Sequence, residues 1–310
     1  MDIQLLIQLM IKFFILMSVG YLLYRIKIMD SDFNKKLTNF VLKVSMPCMI
    51  VSSVFSSPAE RDLSKVLFVF LIAIIMYAIL PAIGMLIAKI IGCKVENRGI
   101  YVFMTIFTNV GFMGFPVIES IIGSEALFYT AIFNMIFNIM LFTVGVKAIN
   151  YPEKSGHKTD IMKILLHPGV LSAVIAIIIY FLRIELPSFI QGPISQIGDL
   201  SPTLAMILMG ASLAKVPIKN VFNEPRIYAF IAVKQIALPL LSWVVIKNFI
   251  NDSMIQLITL TMISLPIANS VVMFTIEYDK NEELAAKNVF LSTVASIVLL
   301  PLVLYVTYLR

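Results

Sequence analysis

A stretch of helix-breaking residues lies in the middle of one apolar run of this chain. The stretch Thr108 to Pro116, T-N-V-G-F-M-G-F-P, lies inside an apolar run from about residue 100 to residue 122. Gly111 and Gly114 weaken a helix, and Pro116 removes a backbone donor and clashes with the preceding turn. A broken helix at membrane depth exposes backbone polar groups, which is tolerated where they are buried in protein or face water.

A second apolar run is interrupted in the same way. The stretch Ser264 to Ser270, S-L-P-I-A-N-S, carries Pro266 followed by Asn269. Two interrupted helices at corresponding positions of two halves are the best sequence indication of a transporter binding site. We therefore expect the rest of the chain to be a frame that brings these two interruptions together.

The composition indicates an all-α polytopic membrane protein. Of the 310 residues, 60% are hydrophobic and 14% are charged, and the mean hydropathy is +0.96. Soluble domains usually carry about 25% charged and 45–50% apolar residues. The two cysteines, Cys48 and Cys93, fit neither a disulfide framework nor a metal motif. The net charge of +6 is explained by sorting of basic residues to one side of a membrane, so no nucleic acid partner is predicted.

Ten apolar segments are each long enough for a spanning helix, which needs about 20 residues. We number them segments 1 to 10 in chain order: residues 4–24, 36–55, 65–91, 99–122, 125–149, 162–182, 192–214, 226–249, 253–277 and 284–308. The longest linker is the central one. The chain is thereby divided into a first five-helix repeat (residues 1–150), a short cytoplasmic loop (151–160) and a second five-helix repeat (161–310).

Basic residues predict the orientation, because cytoplasmic loops are enriched in Lys and Arg. The loops after segments 1, 3, 5, 7 and 9 carry 16 of the 24 Lys and Arg residues, and the other side carries five. Three remain inside segments: Lys12, Lys43 and Lys234. We expect a multi-pass protein of the cytoplasmic membrane, with both termini outside and the central loop in the cytoplasm.

Five segments on each side of a loop predict inverted repeats, since an odd-numbered repeat returns in the opposite orientation. Segment 2 contains S-M-P, ending at Pro47, and segment 7 contains L-S-P, ending at Pro202. The same offset of about 155 residues joins Asn109 to Ser264. The agreement concerns the positions of helix-breaking residues rather than residue identity.

The motif N-V-G-F-M-G-F-P resembles the fourth-helix signature of the auxin efflux carrier family, which includes plant PIN carriers and bacterial malonate or malate permease-like proteins. The Asn, Gly and Pro of that signature match Asn109, Gly114 and Pro116. Three further motifs resemble the family in the right order. They are S-P-T-L-A-M-I-L-M-G-A-S-L-A (Ser201 to Ala214), A-V-K-Q-I-A-L-P (Ala232 to Pro239) and L-P-I-A-N-S-V-V-M-F-T-I-E-Y (Leu265 to Tyr278).

The resemblance implies an NhaA-like fold of two inverted five-helix repeats. It implies a scaffold part of segments 1, 2, 6 and 7, which also forms a homodimer. It implies a transport part of segments 3–5 and 8–10, with segments 4 and 9 crossing at their breaks and moving as an elevator. The chain departs from plant members in its short central loop and in a segment 3 that lacks Asp and Glu. Auxin is therefore in doubt, and proton involvement stays open.

The breaks supply most candidate substrate-binding residues. Asn109 could donate its amide to a substrate carboxylate beside helix N-termini, which suit anions, or it could satisfy carbonyls of the broken helix; both roles can coexist. The polar residues of the second break could bind substrate, or act as hydrogen-bonding glue between helices. The candidates are Asn109, Val110, Gly111, Gly114 and Pro116 in segment 4, and Pro266, Ala268, Asn269 and Ser270 in segment 9.

Two amides and two lysines in other segments complete the predicted site. Asn134 and Asn138 lie four apart on one face of segment 5, where they could line the substrate cavity or pack against another helix. Lys234 could compensate the charge of an anion, replace a sodium ion, or meet carbonyls at a helix C-terminus. Lys43 is a second candidate for charge compensation, although near the cytoplasmic end its side chain could simply extend to the interface.

We therefore predict a secondary transporter of a small organic anion, a mono- or dicarboxylate such as malonate or malate, or an auxin-like acid. No cofactor or metal is expected, and no catalytic constellation or phosphate-binding G-x-x-x-x-G-K-[ST] motif indicates an enzyme or an ATP-driven pump. The alternative is a cation–proton antiporter or sodium-coupled symporter of the same broad fold. A membrane sensor or channel, and a membrane enzyme, are more distant alternatives.

Overall fold

The computed structural model describes residues 3–55, 62–152, 162, 166–182, 184–215 and 224–308. These residues form helices, and the only extended pairing among them is an isolated antiparallel bridge between Thr108 and Ile267. Part of the predicted central loop, residues 153–160, lies outside the described residues.

Helices occupy all ten predicted segments, with two of the segments broken. We call the parts before and after each break 4a, 4b, 9a and 9b. The bounds are Ile3–Arg25, residues 31–52, Leu63–Ile90, Arg98–Ile106 (4a), Val110–Ile121 (4b), Glu125–Ile149, Pro168–Leu182, Ser188–Leu213, Pro225–Phe249, Ser253–Ser264 (9a), Ser270–Glu277 (9b) and Glu282–Tyr308.

Most bounds differ from the predicted ones by a few residues. The start of segment 2 differs by five, at Ser31 rather than residue 36. The reason is a helix N-cap, which cannot be recognised from hydropathy. The carboxylate of Asp30 accepts a hydrogen bond of 2.7 Å from the backbone N–H of Phe33, which supports a polar first turn before the apolar part begins.

Within the described residues, four helices are long and apolar enough to cross a membrane: Leu63–Ile90, Glu125–Ile149, Pro225–Phe249 and Glu282–Thr307. Three shorter apolar helices accompany them: Val110–Ile121, Pro168–Leu182 and Ser253–Ser264. Large apolar side chains such as Leu67, Leu71 and Ile79 point outward from segment 3. A contiguous apolar exterior suits contact with lipid, so the chain is a polytopic membrane protein.

Segments 1 and 7 cross at close range through two glycines. A Cβ atom on Gly20 would lie 1.9 Å from the carbonyl oxygen of Ile207, and one on Gly210 would lie 1.8 Å from that of Met17. Small residues allow membrane helices to approach backbone to backbone, where van der Waals contacts are closest. Segment 2 packs against segments 6 and 7, so segments 1, 2, 6 and 7 form one contiguous group.

The remaining segments surround the two breaks. Segment 3 packs on 4a and on segment 5, and segment 8 packs on 9a and on segment 10. The buried core between them is aromatic and aliphatic, with Phe103, Phe107 and Phe274 in ring contact. This packing holds the broken ends of segments 4 and 9 inside the protein.

Candidate functional site at the crossing of two broken helices

The two breaks meet and hydrogen-bond to each other. The backbone N–H of Asn109 donates to the carbonyl of Pro266 over 2.8 Å, and the N–H of Ala268 donates to the carbonyl of Phe107 over 3.0 Å. Thr108 and Ile267 therefore face each other as a short antiparallel pair. Each break satisfies backbone groups of the other, which is how broken helices are tolerated inside a membrane protein. We call this place the crossing.

Gly114 permits the close approach of segment 9 to helix 4b. A Cβ atom at this position would lie 2.9 Å from Cδ1 of Leu265 and 3.2 Å from Cε of Met262. Gly111 faces the other way, toward Cε of Met46 in segment 2, at 3.3 Å. The two glycines of the motif thus face different neighbours: Gly114 faces segment 9, and Gly111 faces segment 2.

The side chain of Asn109 has one satisfied end and one free end. Its Oδ1 accepts a hydrogen bond of 3.3 Å from the N–H of Phe112 and so caps helix 4b. Its Nδ2 has no hydrogen-bond partner among the described residues. The residue is only 3% exposed, so this donor is buried. A buried donor without an acceptor costs free energy unless something binds it.

Two of the predicted substrate-binding residues, Val110 and Ala268, already use their backbone N–H groups within the protein. The N–H of Val110 donates to the carbonyl of Thr108 over 2.8 Å, and that of Ala268 to Phe107 as described. Pro116 lies inside helix 4b, two residues after its first turn, Val110–Gly114.

The second break also leaves one polar atom without a partner. Asn269 and Ser270 begin helix 9b and are half-buried, and the Oγ of Ser270 has no partner among the described residues. Ser264 is turned away, because its Oγ donates to the carbonyl of Leu260 in its own helix. The N–H of Ile267 donates to Oγ of Ser292 in segment 10 over 3.2 Å.

Lys234 is buried beside the crossing. Only 1% of this residue is exposed, and its Nζ donates to the carbonyl of Leu265 at the end of helix 9a. A positive charge complements the negative end of a helix dipole, so the ammonium group stabilises the C-terminus of 9a. Of the predicted partners for Lys234, a helix C-terminal carbonyl is therefore the one the structure contains. Lys43 is exposed and lies away from this contact, on segment 2.

Asn134 and Asn138 do share one face of segment 5. The Nδ2 of Asn138 donates to the carbonyl of Asn134 over 2.7 Å. Both amides face Gly169 in segment 6, since a Cβ atom there would lie 2.7 Å from Nδ2 of Asn138 and 2.9 Å from Nδ2 of Asn134. The structure thus brings these residues to the contact between segments 5 and 6, as the helix-packing alternative predicted.

Widened π-helical turns are the feature of the site that sequence reasoning missed. Among the described residues they occur at Val41–Ser45, Val110–Gly114, Leu141–Gly145 and Val233–Ala237. In three of them a proline follows two residues later: Pro47, Pro116 and Pro239. The proline ring would clash with the carbonyl four residues earlier, which lies at the centre of each π turn, and a wider turn relieves this clash. The signal was therefore present in the proline positions.

Comparison with known proteins gives the family. The sequence profile described as "Membrane transport protein" matches residues 5–304, nearly the whole chain. The chain belongs to this family. It is the auxin efflux carrier family that the motifs resemble, so that prediction is confirmed.

Curated relatives of this membrane transport protein are similar over nearly their full length. A protein of Rhizobium meliloti named "Putative malonate transporter" is 23% identical over 307 residues, covering 96% of this chain and 94% of the relative. An uncharacterized transporter of Methanocaldococcus jannaschii is 25% identical, covering 93% of this chain and 94% of the relative. An uncharacterized transporter of Methanothermobacter thermautotrophicus is 24% identical, with the same coverages. The family and these relatives are transporters, not enzymes.

Proposed function

We propose that this membrane transporter carries a small organic anion, bound at the crossing by the amide of Asn109. The observation that carries this proposal is the free Nδ2 of Asn109, which is buried at the point where the two broken helices meet. Helices 4b and 9b both begin at the crossing, and helix N-termini carry partial positive charge. A carboxylate oxygen would accept from Nδ2 and gain from both helix ends.

The charge balance near the crossing supports an anion rather than a cation. Among the described residues, no buried side chain is an aspartate or a glutamate, whereas Lys234 is buried with its ammonium group at the crossing. Cation exchange in membranes generally uses intramembrane carboxylates. Lys234 would compensate the substrate's charge while remaining on the Leu265 carbonyl. Ser270 and Asn269, at the start of 9b, are the remaining polar groups that would face the substrate.

The name of the Rhizobium meliloti relative supports a dicarboxylate as the first substrate to test. Malonate is small, and its two carboxylates would reach the N-termini of 4b and 9b together. Malate and an auxin-like monocarboxylic acid are the other candidates. Asn134 and Asn138, at the contact of segments 5 and 6, would lie on the route of the anion rather than at its resting position.

We further propose ten spanning helices in two inverted repeats. The pattern of packing supports this, because each major contact has a counterpart five segments on. Segment 1 packs on 7 as 6 packs on 2, and segment 3 packs on 4 and 5 as 8 packs on 9 and 10. The contiguous group of segments 1, 2, 6 and 7 would be a fixed, dimeric scaffold. The rest would move along it as an elevator, with both termini outside the cytoplasmic membrane.

Uptake into proteoliposomes tests the proposed function. Purified wild-type protein and Asn109→Ala would be given labelled malonate, malate or indole acetate, each with and without a pH gradient. Saturable uptake of one anion that is lost in Asn109→Ala is the expected result, and a response to the gradient would indicate proton coupling. Asn248→Ala is the matched control, because this exposed amide only donates to the carbonyl of Val244 in its own helix.

A different result would overturn the proposal. If no anion moves, and the protein instead produces cation-dependent pH changes inside the vesicles, the antiporter or symporter alternative replaces it. If anion uptake is the same in Asn109→Ala and in the wild type, the substrate does not bind at the amide of Asn109.

A further inference from the structure

A cavity lies outside the crossing, between segments 2, 6 and 7. Its volume is about 280 Å³. The lining residues are Lys43, Pro47, Cys48 and Val51 from segment 2, Leu166, Pro168, Leu171, Ser172 and Ile175 at segment 6, and Ile194 from segment 7. None of these residues belongs to segments 4 or 9, so the cavity is separate from the proposed substrate site.

The lining combines one cation, one free hydroxyl and an apolar wall. Lys43 makes no hydrogen bond or ion pair within the described part of the chain. Ser172 is only 3% exposed, and its Oγ has no partner among the described residues. An unpartnered buried hydroxyl in the wall of a cavity that is also lined by an unpaired lysine indicates a missing polar ligand. The apolar wall requires that the same ligand also carry a hydrocarbon part.

The rim of the cavity faces the exterior of the helix bundle. Leu166, Leu171 and Ile175 are each 40% exposed or more, although they are large and apolar. At membrane depth, an apolar rim of this kind faces lipid. A ligand could therefore enter the cavity sideways from the bilayer, without passing through water.

Lys43 places the polar end of the ligand in one leaflet. Arg25 and Lys27 follow segment 1, and Lys35 and Lys36 lie in the first turns of segment 2, at the end of the bundle that is cytoplasmic by the distribution of basic residues. The cytoplasmic leaflet contains the anionic lipids, and basic pockets between helices on that side bind their head groups.

We propose that this cavity binds one anionic phospholipid of the cytoplasmic leaflet. The phosphodiester would lie on the ammonium group of Lys43, a glycerol or ester oxygen would accept from Oγ of Ser172, and the upper acyl chain would lie along Val51 and Ile175. The cavity is at the lower limit of small-molecule pockets, which are roughly 300–1,000 Å³, so it holds part of a lipid rather than all of it. A dicarboxylate substrate fits poorly, since it would bring two charges to one cation and an apolar wall.

Cys48 provides a direct probe, because it lines the cavity and is half-buried. Cys93 is an internal control, since it is buried elsewhere and its Sγ donates to the carbonyl of Ala88. The full chain would be delipidated, placed in phosphatidylcholine nanodiscs with increasing phosphatidylglycerol, and alkylated with a maleimide. We expect phosphatidylglycerol to slow alkylation of Cys48 and leave that of Cys93 unchanged.

Variants identify the groups that hold the lipid. Lys43→Gln should weaken the protection of Cys48 by phosphatidylglycerol about fivefold in apparent affinity, the effect of one lysine near an anionic surface. Ser172→Ala should weaken it less, and Lys89→Gln, at an exposed lysine in segment 3, should not weaken it. Because Lys43 is exposed and unpaired, its replacement should leave the fold intact.

Three results would overturn the proposal. Equal protection of Cys48 in wild type and Lys43→Gln would mean that the ammonium group holds no lipid. Protection by oleate but not by phosphatidylglycerol would mean a fatty-acid site. Protection that follows protein concentration and not lipid would mean that a second copy of the chain covers the cavity.

Discussion

The two breaks that meet at the crossing are supported in different ways. The break in segment 4 is capped by its own residue, since Oδ1 of Asn109 accepts from Phe112 three positions on. The break in segment 9 depends on other segments, because Lys234 donates to Leu265 and Ser292 accepts from Ile267. Pro266, inside this break, supplies no N–H of its own.

This difference suggests that ligand binding and support of the broken helices are carried by different residues. The locally capped break leaves Nδ2 of Asn109 free for a ligand, whereas Lys234 and Ser292 are engaged in holding the second break. Changes at Asn109 should therefore affect transport far more than stability. Changes at Lys234 and Ser292 should reduce the stability of the protein as well.

The largest effect on transport is expected for Asn109→Asp. The new carboxylate keeps an acceptor for the N–H of Phe112 but replaces the free donor Nδ2 with an oxygen. An anionic substrate then loses a donor and meets an acceptor or a negative charge. Such a mismatch at a buried site costs about 2–5 kcal/mol of binding free energy. Uptake of the identified anion should fall by at least tenfold, while thermal unfolding measured in detergent changes little. Uptake close to that of the wild type would contradict a donor role for Asn109.

Lys234→Met is expected to lower both transport and stability. Methionine fills a similar volume but leaves the carbonyl of Leu265 without its donor, and a hydrogen bond to a charged group contributes about 1.5–3 kcal/mol. The removal of a buried charge offsets part of this loss. We expect a lower unfolding temperature together with loss of uptake. An unfolding temperature equal to that of the wild type, with uptake lost, would assign Lys234 to the substrate alone.

Ser292→Ala tests the support of segment 9 from segment 10. The substitution leaves the buried N–H of Ile267 without an acceptor, which costs about 1–3 kcal/mol. The unfolding temperature should fall by a few degrees. Thr307→Val, near the end of segment 10, is the matched control, because its Oγ1 donates only to the carbonyls of Val303 and Leu304 in its own helix. Equal effects of the two substitutions would show that Ser292 does not support the crossing.

Hydropathy and helix-breaking residues predicted much of this arrangement. The positions of segments 4 and 9, their interruption and their meeting follow from Gly and Pro in long apolar runs. The carbonyl partner of Lys234 was one of several alternatives at the sequence level. The sequence shows that a buried cation needs a partner, but it does not show which carbonyl lies near it in the folded protein. The division between a self-capped and an externally supported break could not be predicted, since it depends on Ser292, which looks like any serine in an apolar helix.

The smallest effect concerns an ion pair that joins the two halves outside the crossing. Nζ of Lys65, at the start of segment 3, lies 2.7 Å from Oδ2 of Asp252, whose other oxygen caps helix 9a by accepting from Ile255. Burial raises the pKa of the Asp252 carboxyl, but the hydrogen bonds from Lys65 and the backbone, with the charge of Lys65, bring the pKa below its ordinary value. Because that carboxylate is 34% exposed, solvent screens the ion pair. We expect the pair to contribute about 0.2–1 kcal/mol to the free energy of unfolding.

Lys65→Met should therefore lower the unfolding temperature only slightly at neutral pH. A carboxyl whose pKa is lower in the folded state stabilises the protein above its unfolded pKa of about 3.9, and this contribution disappears as the pH falls through the folded pKa. The difference between wild type and Lys65→Met should accordingly be constant from pH 8 to about pH 5 and shrink in stronger acid. Thermal unfolding of both proteins across this pH range measures it. A difference that grows in acid would mean that Lys65 acts through another contact, such as its position over the ring of Tyr129, and that the pair with Asp252 does not join the two halves.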